Sequence, residues 1–250
     1  MHENGNLQAN TTKAHRIGLA VVKTADRVTQ IIMDIVFIIL LLLAVYFVID
    51  TIYVFYNSRA DVTMPLKPEN GSIEALKEIS EDCIGWITID NTSIDYPIMQ
   101  GVDNYEYLNK DPYGDYSLAG SIYLDSGNAS DFSDDYSLVY GHHMSGGYMF
   151  GALDDFEDEA YFNSHLTGTL ITERGSFPIV AQAFLYTQAS DKLVFDLSEG
   201  TYEERVKNMK EKAIHYNKEA EDEDCLIALS TCRSPTSTRR MILFVRTIEE

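Results

Sequence analysis

Cys225-Leu226-Ile227-Ala228-Leu229-Ser230-Thr231-Cys232 is an apolar run that closes on two hydroxyls and a thiol. Its length suits a buried strand and is short for a core helix. Arg233-Ser234-Pro235 follow, which places the end of the strand at Cys232. A second apolar run, 241–247, is headed by Arg239-Arg240 and begins within ten residues of the thiol. Far upstream Tyr136-Ser137-Leu138-Val139-Tyr140 runs into Gly141-His142-His143. Three strand ends therefore carry a thiol, an imidazole and a guanidinium.

Outward from these three, the same pattern recurs. Residues 84–89 and 93–99 flank Asp90-Asn91, a pair suited to a tight hairpin turn. Further strands are expected at 121–124, 137–140, 166–172 and 179–186, giving about eight with 225–229 and 241–247. Helices are few. Residues 73–79 and 202–216 carry apolar residues at helical spacing, and 150–156 predict a short helix or turn. Many strands, few helices and no alternation of strand and helix predict a mainly β, closed or nearly closed barrel.

The N-terminal region differs in kind. Ile35 to Ile49 carries no charge, and the apolar run extends to Ile31 and Tyr56, bracketed by Asp34 and Asp50. That is about 25 residues, against the 20 or so a membrane-spanning helix needs. Tyr46, Phe47, Tyr53, Phe55 and Tyr56 suit an outer aromatic belt. The run is too long for a cleaved signal's apolar core, and no small-x-small site follows it. Lys13, Arg16, Lys23 and Arg27 all precede it, so the positive-inside rule puts the N-terminus in the cytoplasm and the rest outside. The expected organisation is a cytoplasmic segment at 1–30, a signal anchor at 31–56, a linker at 57–70 and an extracellular domain at 71–250.

Residues 1–56 hold four Lys/Arg and four Asp/Glu, so the whole formal charge of −20 falls on the remainder. A domain this acidic argues against nucleic-acid and phosphate-rich partners. Its acidic clusters lack the Asp-x-Asp-x-Asp-Gly spacing of a calcium loop, and no C-x-x-C pair or His-Glu-x-x-His occurs, so no metal site and no cofactor is expected. The three cysteines allow at most one disulfide. Cys225 and Cys232 would stand about 23 Å apart along one strand and cannot pair there. Cys83, before Ile84-Gly85-Trp86, reads as a small buried hydrophobe.

Thiol, imidazole and guanidinium are the parts of a cysteine acyl-transfer site. The thiolate is the nucleophile, imidazole serves as both acid and base, and arginine stays charged throughout as an oxyanion donor. Neighbours along a strand face opposite sides, so one of His142 and His143, and one of Arg239 and Arg240, can face the sulfur.

The chain resembles the sortases, and among them class B. The segments that carry the likeness are Gly85-Trp86-Ile87-x-Ile89-Asp90, Ile94-Asp95-Tyr96-Pro97-Ile98-x-Gln100-Gly101, Asn104-x-x-Tyr107-Leu108-Asn109, Ala119-Gly120-Ser121-Ile122-Tyr123-Leu124-Asp125, Tyr140-Gly141-His142-His143-Met144, Met149-Phe150-Gly151, Leu229-Ser230-Thr231-Cys232 and Arg240-Met241-Ile242-Leu243. They run in family order over about residues 80–246. The resemblance implies a closed eight-stranded sortase-type barrel with short peripheral helices, preceded by one transmembrane helix.

It also implies a membrane-bound cysteine transpeptidase of a Gram-positive-type surface. Such an enzyme cleaves a C-terminal sorting signal of the LPxTG/NPxTN type between Thr and Gly and passes the acyl group to an amine. By motif position Cys232 is the nucleophile, His142 the acid/base and Arg240 the oxyanion and substrate-backbone donor. Asn104, Leu108 and Ser230 correspond to groove positions, Thr231 presents its backbone near the oxyanion, and Asp125 orients a barrel turn or His143. The implied partners are surface proteins bearing the signal and an amine of the peptidoglycan precursor; the alternative is a pilin lysine. An L,D-transpeptidase is a further alternative, but it would want His-Gly just before the cysteine, where Leu229-Ser230-Thr231 stand. A binding barrel without catalysis would lack one of the three residue types, and all are present.

Overall fold

The computed structural model describes residues 3–57, 67, 74–77, 80–220, 225–232 and 238–248. The chain divides into two compact units, Met1–Tyr53 and Val54–Glu250. The first is helical: α1 (Glu3–Asn57) is one 55-residue helix. Within it Val22–Val54 is largely apolar and none of its apolar window is buried, 33 residues that would extend about 50 Å. Of the expected linker at 57–70, residues 58–66 and 68–70 lie outside the described residues.

The second unit contains the strands β1 (Cys83–Ile89), β2 (Asp95–Met99), β3 (Ile122–Leu124), β4 (Tyr136–Tyr140), β5 (His143–Met144), β6 (Tyr148–Met149), β7 (Thr167–Thr172), β8 (Gly175–Gln188), β9 (His215–Tyr216), β10 (Leu226–Cys232) and β11 (Arg239–Thr247). The main sheet runs β11-β10-β4-β3-β2-β1-β7-β8, and β11 pairs back onto β8, closing an eight-stranded barrel. The pairs β2/β3 and β4/β10 are parallel and the rest of the ring is antiparallel. The β5–β6 ribbon stands apart. All eight expected strands are present. The Asp90-Asn91 turn closes β1–β2, with Asn91 at φ 60° and the Ile89 amide donating to the Ile94 carbonyl at 2.9 Å.

The continuous apolar character of β10 has a simple cause. Ile227 and Leu229 belong to the barrel core with Val139, Leu243 and Phe150. Leu226 and Ala228 belong to a second cluster with Leu138, Ile242, Phe244 and Met209. A strand buried on both faces shows no alternation. Met209 comes from an outer helix (Tyr202–Lys212) that opens on a capping box between Thr201 and Glu204.

That helix is shorter than the expected 202–216. Beyond the reach of β7, the edge of β8 is open, and β9 fills it with Ala183 opposite Tyr216 and Phe184 opposite His215. The Ile214 amide donates to the Phe184 carbonyl at 2.8 Å, so sheet pairing takes the residues that spacing assigned to helix. The expected turn at 150–156 is a 3-10 helix (Phe150–Glu157) whose Phe150, Leu153 and Phe156 fill the barrel core. The helix expected at 73–79 is described over Glu74–Lys77. Two short helices, Glu159–Ser164 and Lys192–Phe195, carried no clear periodicity in so few residues.

Candidate active site

Backbone register brings the three strand ends together. β4 and β10 run parallel with Ser230 opposite Tyr140, and the Gly141 amide donates to the Ser230 carbonyl at 3.1 Å. His142 follows two residues after the last pair of this seam, and Cys232 two residues after Ser230 on the neighbouring strand. Across the next seam Cys232 stands opposite Arg240. Directly opposed residues of an antiparallel pair have Cα atoms about 4.5–5.5 Å apart.

A cavity of about 350 Å³ opens at this end of the barrel, and His142, Arg240, Ser230, Thr231, Asn104 and Leu108 all line it. These six residues, expected from the sequence as acid/base, oxyanion donor and groove, thus border one space. Within each adjacent pair the structure separates the members. His143, on β5, holds the Asp154 carboxylate at 2.9 Å and does not border the cavity. Arg239 stacks over the Tyr186 ring at 5.0 Å and borders a different cavity of about 510 Å³, with Lys212 and Asp191.

The His142 ring is held by its Nε2, 2.7 Å from the Leu108 carbonyl. Leu108 ends a 3-10 turn (Glu106–Leu108) whose Tyr107 is buried in a third cluster with Trp86, Met99 and Tyr123. The Tyr107 phenol donates to Asp82 at 2.6 Å; burial, then that bond, push its pKa up to about 12. Asn104 is fixed at both ends, donating to Asp125 at 2.7 Å and accepting from the Ser126 amide at 2.8 Å. Asp125 also accepts from the Tyr140 hydroxyl at 2.9 Å and the Gly127 amide at 2.9 Å. It therefore orients a barrel turn and the cavity wall; the alternative, that it orients His143, is not what the structure has, because Asp154 does so. Burial, then the charge of Asp125, raise the Tyr140 phenol well above its ordinary value, so it remains a neutral donor.

Ser230 and Thr231 are both buried, and their hydroxyl oxygens find no hydrogen-bond partner among the described residues. Sequence reasoning missed Tyr105, Tyr123, Tyr140 and Phe195, which give the cavity an aromatic wall. Tyr123 and Tyr140 sit inside two of the matched segments and could have been found there. Phe195 comes from one of the unexpected short helices and had no signal. Of the other cysteines, Cys83 is buried, and desolvation raises its thiol to about 12, which leaves it inert. Cys225 borders a small pocket with Phe132, Arg174 and Thr247, at the opposite end of β10. Among the described residues no group of three or more His, Cys, Asp or Glu could hold a metal ion.

No family model matches the chain. It is 28% identical over 181 residues to sortase B of Staphylococcus aureus, covering 70% of this chain and 74% of that protein. Among solved structures, a Streptococcus pyogenes class B sortase involved in pilus biogenesis is 37% identical with a TM-score of 0.62, covering 71% of this chain and 97% of that one. Clostridium perfringens sortase B is 28% identical with a TM-score of 0.64, covering 71% and 100%. The barrel and these likenesses define a sortase, a cysteine transpeptidase of the cell-wall-anchoring kind. Within that family the chain belongs to class B.

Proposed function

We propose that Cys232, His142 and Arg240 carry the transpeptidation, on a C-terminal sorting signal of the LPxTG/NPxTN type cut between Thr and Gly. The Cys232 sulfur attacks the Thr carbonyl, and Arg240, charged at any working pH, stabilises the oxyanion, with the Thr231 backbone beside it. His142, holding the proton that the cysteine thiol gave up, passes it to the departing Gly amine as the C–N bond breaks, leaving a Thr thioester. An incoming amine then attacks that thioester while His142 takes its proton, and the C–S bond breaks to release the Cys232 sulfur, which shares that proton with His142 as at the start. Asn104, Leu108 and Ser230 form the groove. The observation that carries this reading is the single cavity onto which these side chains converge at the register point of Cys232.

The exposed apolar helix fits a membrane anchor. With Lys13, Arg16, Lys23 and Arg27 on its N-terminal side, its N-terminus lies in the cytoplasm and the barrel outside the cell. Surface proteins bearing the signal are the donors, and the acceptor is an amine of the peptidoglycan precursor. A second acceptor, a pilin lysine, is favoured by the higher identity to the S. pyogenes enzyme, 37%, than to S. aureus sortase B, 28%.

The test is cleavage of a quenched sorting-signal peptide library by the full chain in detergent, with an oligoglycine amine or a lysine side-chain peptide as acceptor. Cys232→Ala abolishes both cleavage and transfer while the barrel stays folded, and His142→Ala and Arg240→Ala each lose several orders of magnitude. Full activity in Cys232→Ala rejects the proposal. Exclusive use of the lysine acceptor selects the second reading.

A further inference from the structure

We infer that Gly120 and the Leu108 carbonyl together position His142: the glycine leaves room for the carbonyl that takes the imidazole's Nε2 proton, which leaves Nδ1 to exchange protons at the site. This rests on the proposed role of His142 as acid/base, and it adds two positioning residues to that role.

A carbonyl oxygen has no proton to give, so the 2.7 Å contact requires the hydrogen on Nε2 of His142. In the neutral ring that leaves Nδ1 as the acceptor, and a histidine that must take a proton from an amine needs one defined acceptor nitrogen. The carbonyl can stand where it does because residue 120 has no side chain. Gly120 has φ +58°, and a Cβ there would lie 2.4 Å from the Leu108 oxygen and 2.8 Å from the Tyr107 oxygen. Both sides of this contact are tied down. The Gly120 amide donates to the Ser117 carbonyl at 3.1 Å and the Ser121 amide to the Tyr107 carbonyl at 3.0 Å, and the Tyr107 side chain is buried and bonded to Asp82. The added methyl of an alanine must therefore push the carbonyl from under the ring.

Gly120→Ala is compared with Gly114→Ala. Gly114 belongs to the same excursion of chain and also has positive φ, +93°, but a Cβ there meets only Lys110 Cε at 3.7 Å. It carries the backbone strain without the contact. Three quantities are read on the full chain: peptide-cleavage kinetics, melting temperature, and the 15N resonances of the His142 ring in its neutral form. The expected result is a loss of about 100-fold in kcat for Gly120→Ala, the scale of a misplacement near 1 Å, and a change under about threefold for Gly114→Ala. The parent shows Nε2 protonated and Nδ1 bare; Gly120→Ala shows the two tautomers mixed. If Gly120→Ala fails to fold, replacing the Leu108–Asn109 amide by an ester, which weakens the carbonyl as an acceptor without moving it, gives the same tautomer mixing and a loss of about tenfold.

Parent-like kcat with an unchanged Nε2-protonated ring in Gly120→Ala, or in the ester variant, overturns the inference. The proposed function fails separately: should His142→Ala cleave as well as the parent, the acid/base assignment is wrong whatever the ring resonances show.

Discussion

Arg239 lies over the Tyr186 ring while Arg240, one residue on, borders the cavity, and His143 holds Asp154 while His142 borders that same cavity. Side chains one apart on extended chain face opposite ways, so each pair offers one candidate and one spectator. The spectators make weak surface contacts. Asp154 is 55% exposed in its pair with His143, and exposed ion pairs contribute about 0–1 kcal/mol. His143→Ala and Arg239→Ala are therefore expected to keep kcat/KM within a few-fold of the parent and to shift the melting temperature little. His142→Ala and Arg240→Ala, on the same peptide, should lose several orders of magnitude. The reverse ranking in either pair would move the site to the other residue. Motif position favoured one member of each pair, and the contacts of His143 with Asp154 and of Arg239 with Tyr186 give a physical reason for the same preference.

At the scale of elements, the outer helix Tyr202–Lys212 covers the second apolar cluster over β10 and β11, the two strands that present Cys232 and Arg240. Its start is legible in Thr201-x-x-Glu204: the Thr201 side chain accepts from the Glu204 amide, and Glu204 accepts from the Thr201 amide at 2.9 Å. Thr201→Ala leaves the Glu204 amide to water and should lower stability by about 1 kcal/mol, seen as an earlier urea midpoint with an unchanged slope. An unchanged midpoint would mean the cap contributes nothing. Its end was not legible, because residues 213–216 keep helical spacing yet are drawn into pairing with β8 by carbonyls that no local pattern announces. The Lys192–Phe195 helix was missed for a related reason: four residues carry no periodicity, and its shape is set by the loop it closes.

For the molecule as a whole, closure of β11 onto β8 completes the barrel, and Cys83 and Trp86 are buried in the third cluster with Leu76, Met99, Tyr107, Tyr123 and Ile171. The Cys83 thiol is raised from 9.0 to about 12. Between those values the unfolded chain releases a proton that the folded chain keeps. Stability is therefore whole below about pH 9 and falls as pH rises toward 12, by about 1 kcal/mol per pH unit for this group. Tyr107, raised from 10.0 to about 12, acts in the same direction from pH 10 upward. Denaturant unfolding followed by the fluorescence of Trp86, the one tryptophan, should show this alkaline decline, and Cys83→Ala should be less stable at pH 7 but flatter between pH 9 and 11. A slope unchanged by the substitution would show that the thiol titrates normally in the folded state.

What the sequence determined by itself was local or ordered along the chain. It held the eight strands, the Asp90-Asn91 turn, the apolar helix and the order of the family segments, because alternation, turn chemistry and hydropathy act over a few residues. The tertiary structure alone decided the parallel seam that brings β4 beside β10, the carbonyl of Leu108 under the His142 ring, and the aromatic wall that includes Phe195. Those contacts join residues 34 to about 90 positions apart, and closing a barrel fixes them through registers that no short stretch of chain encodes.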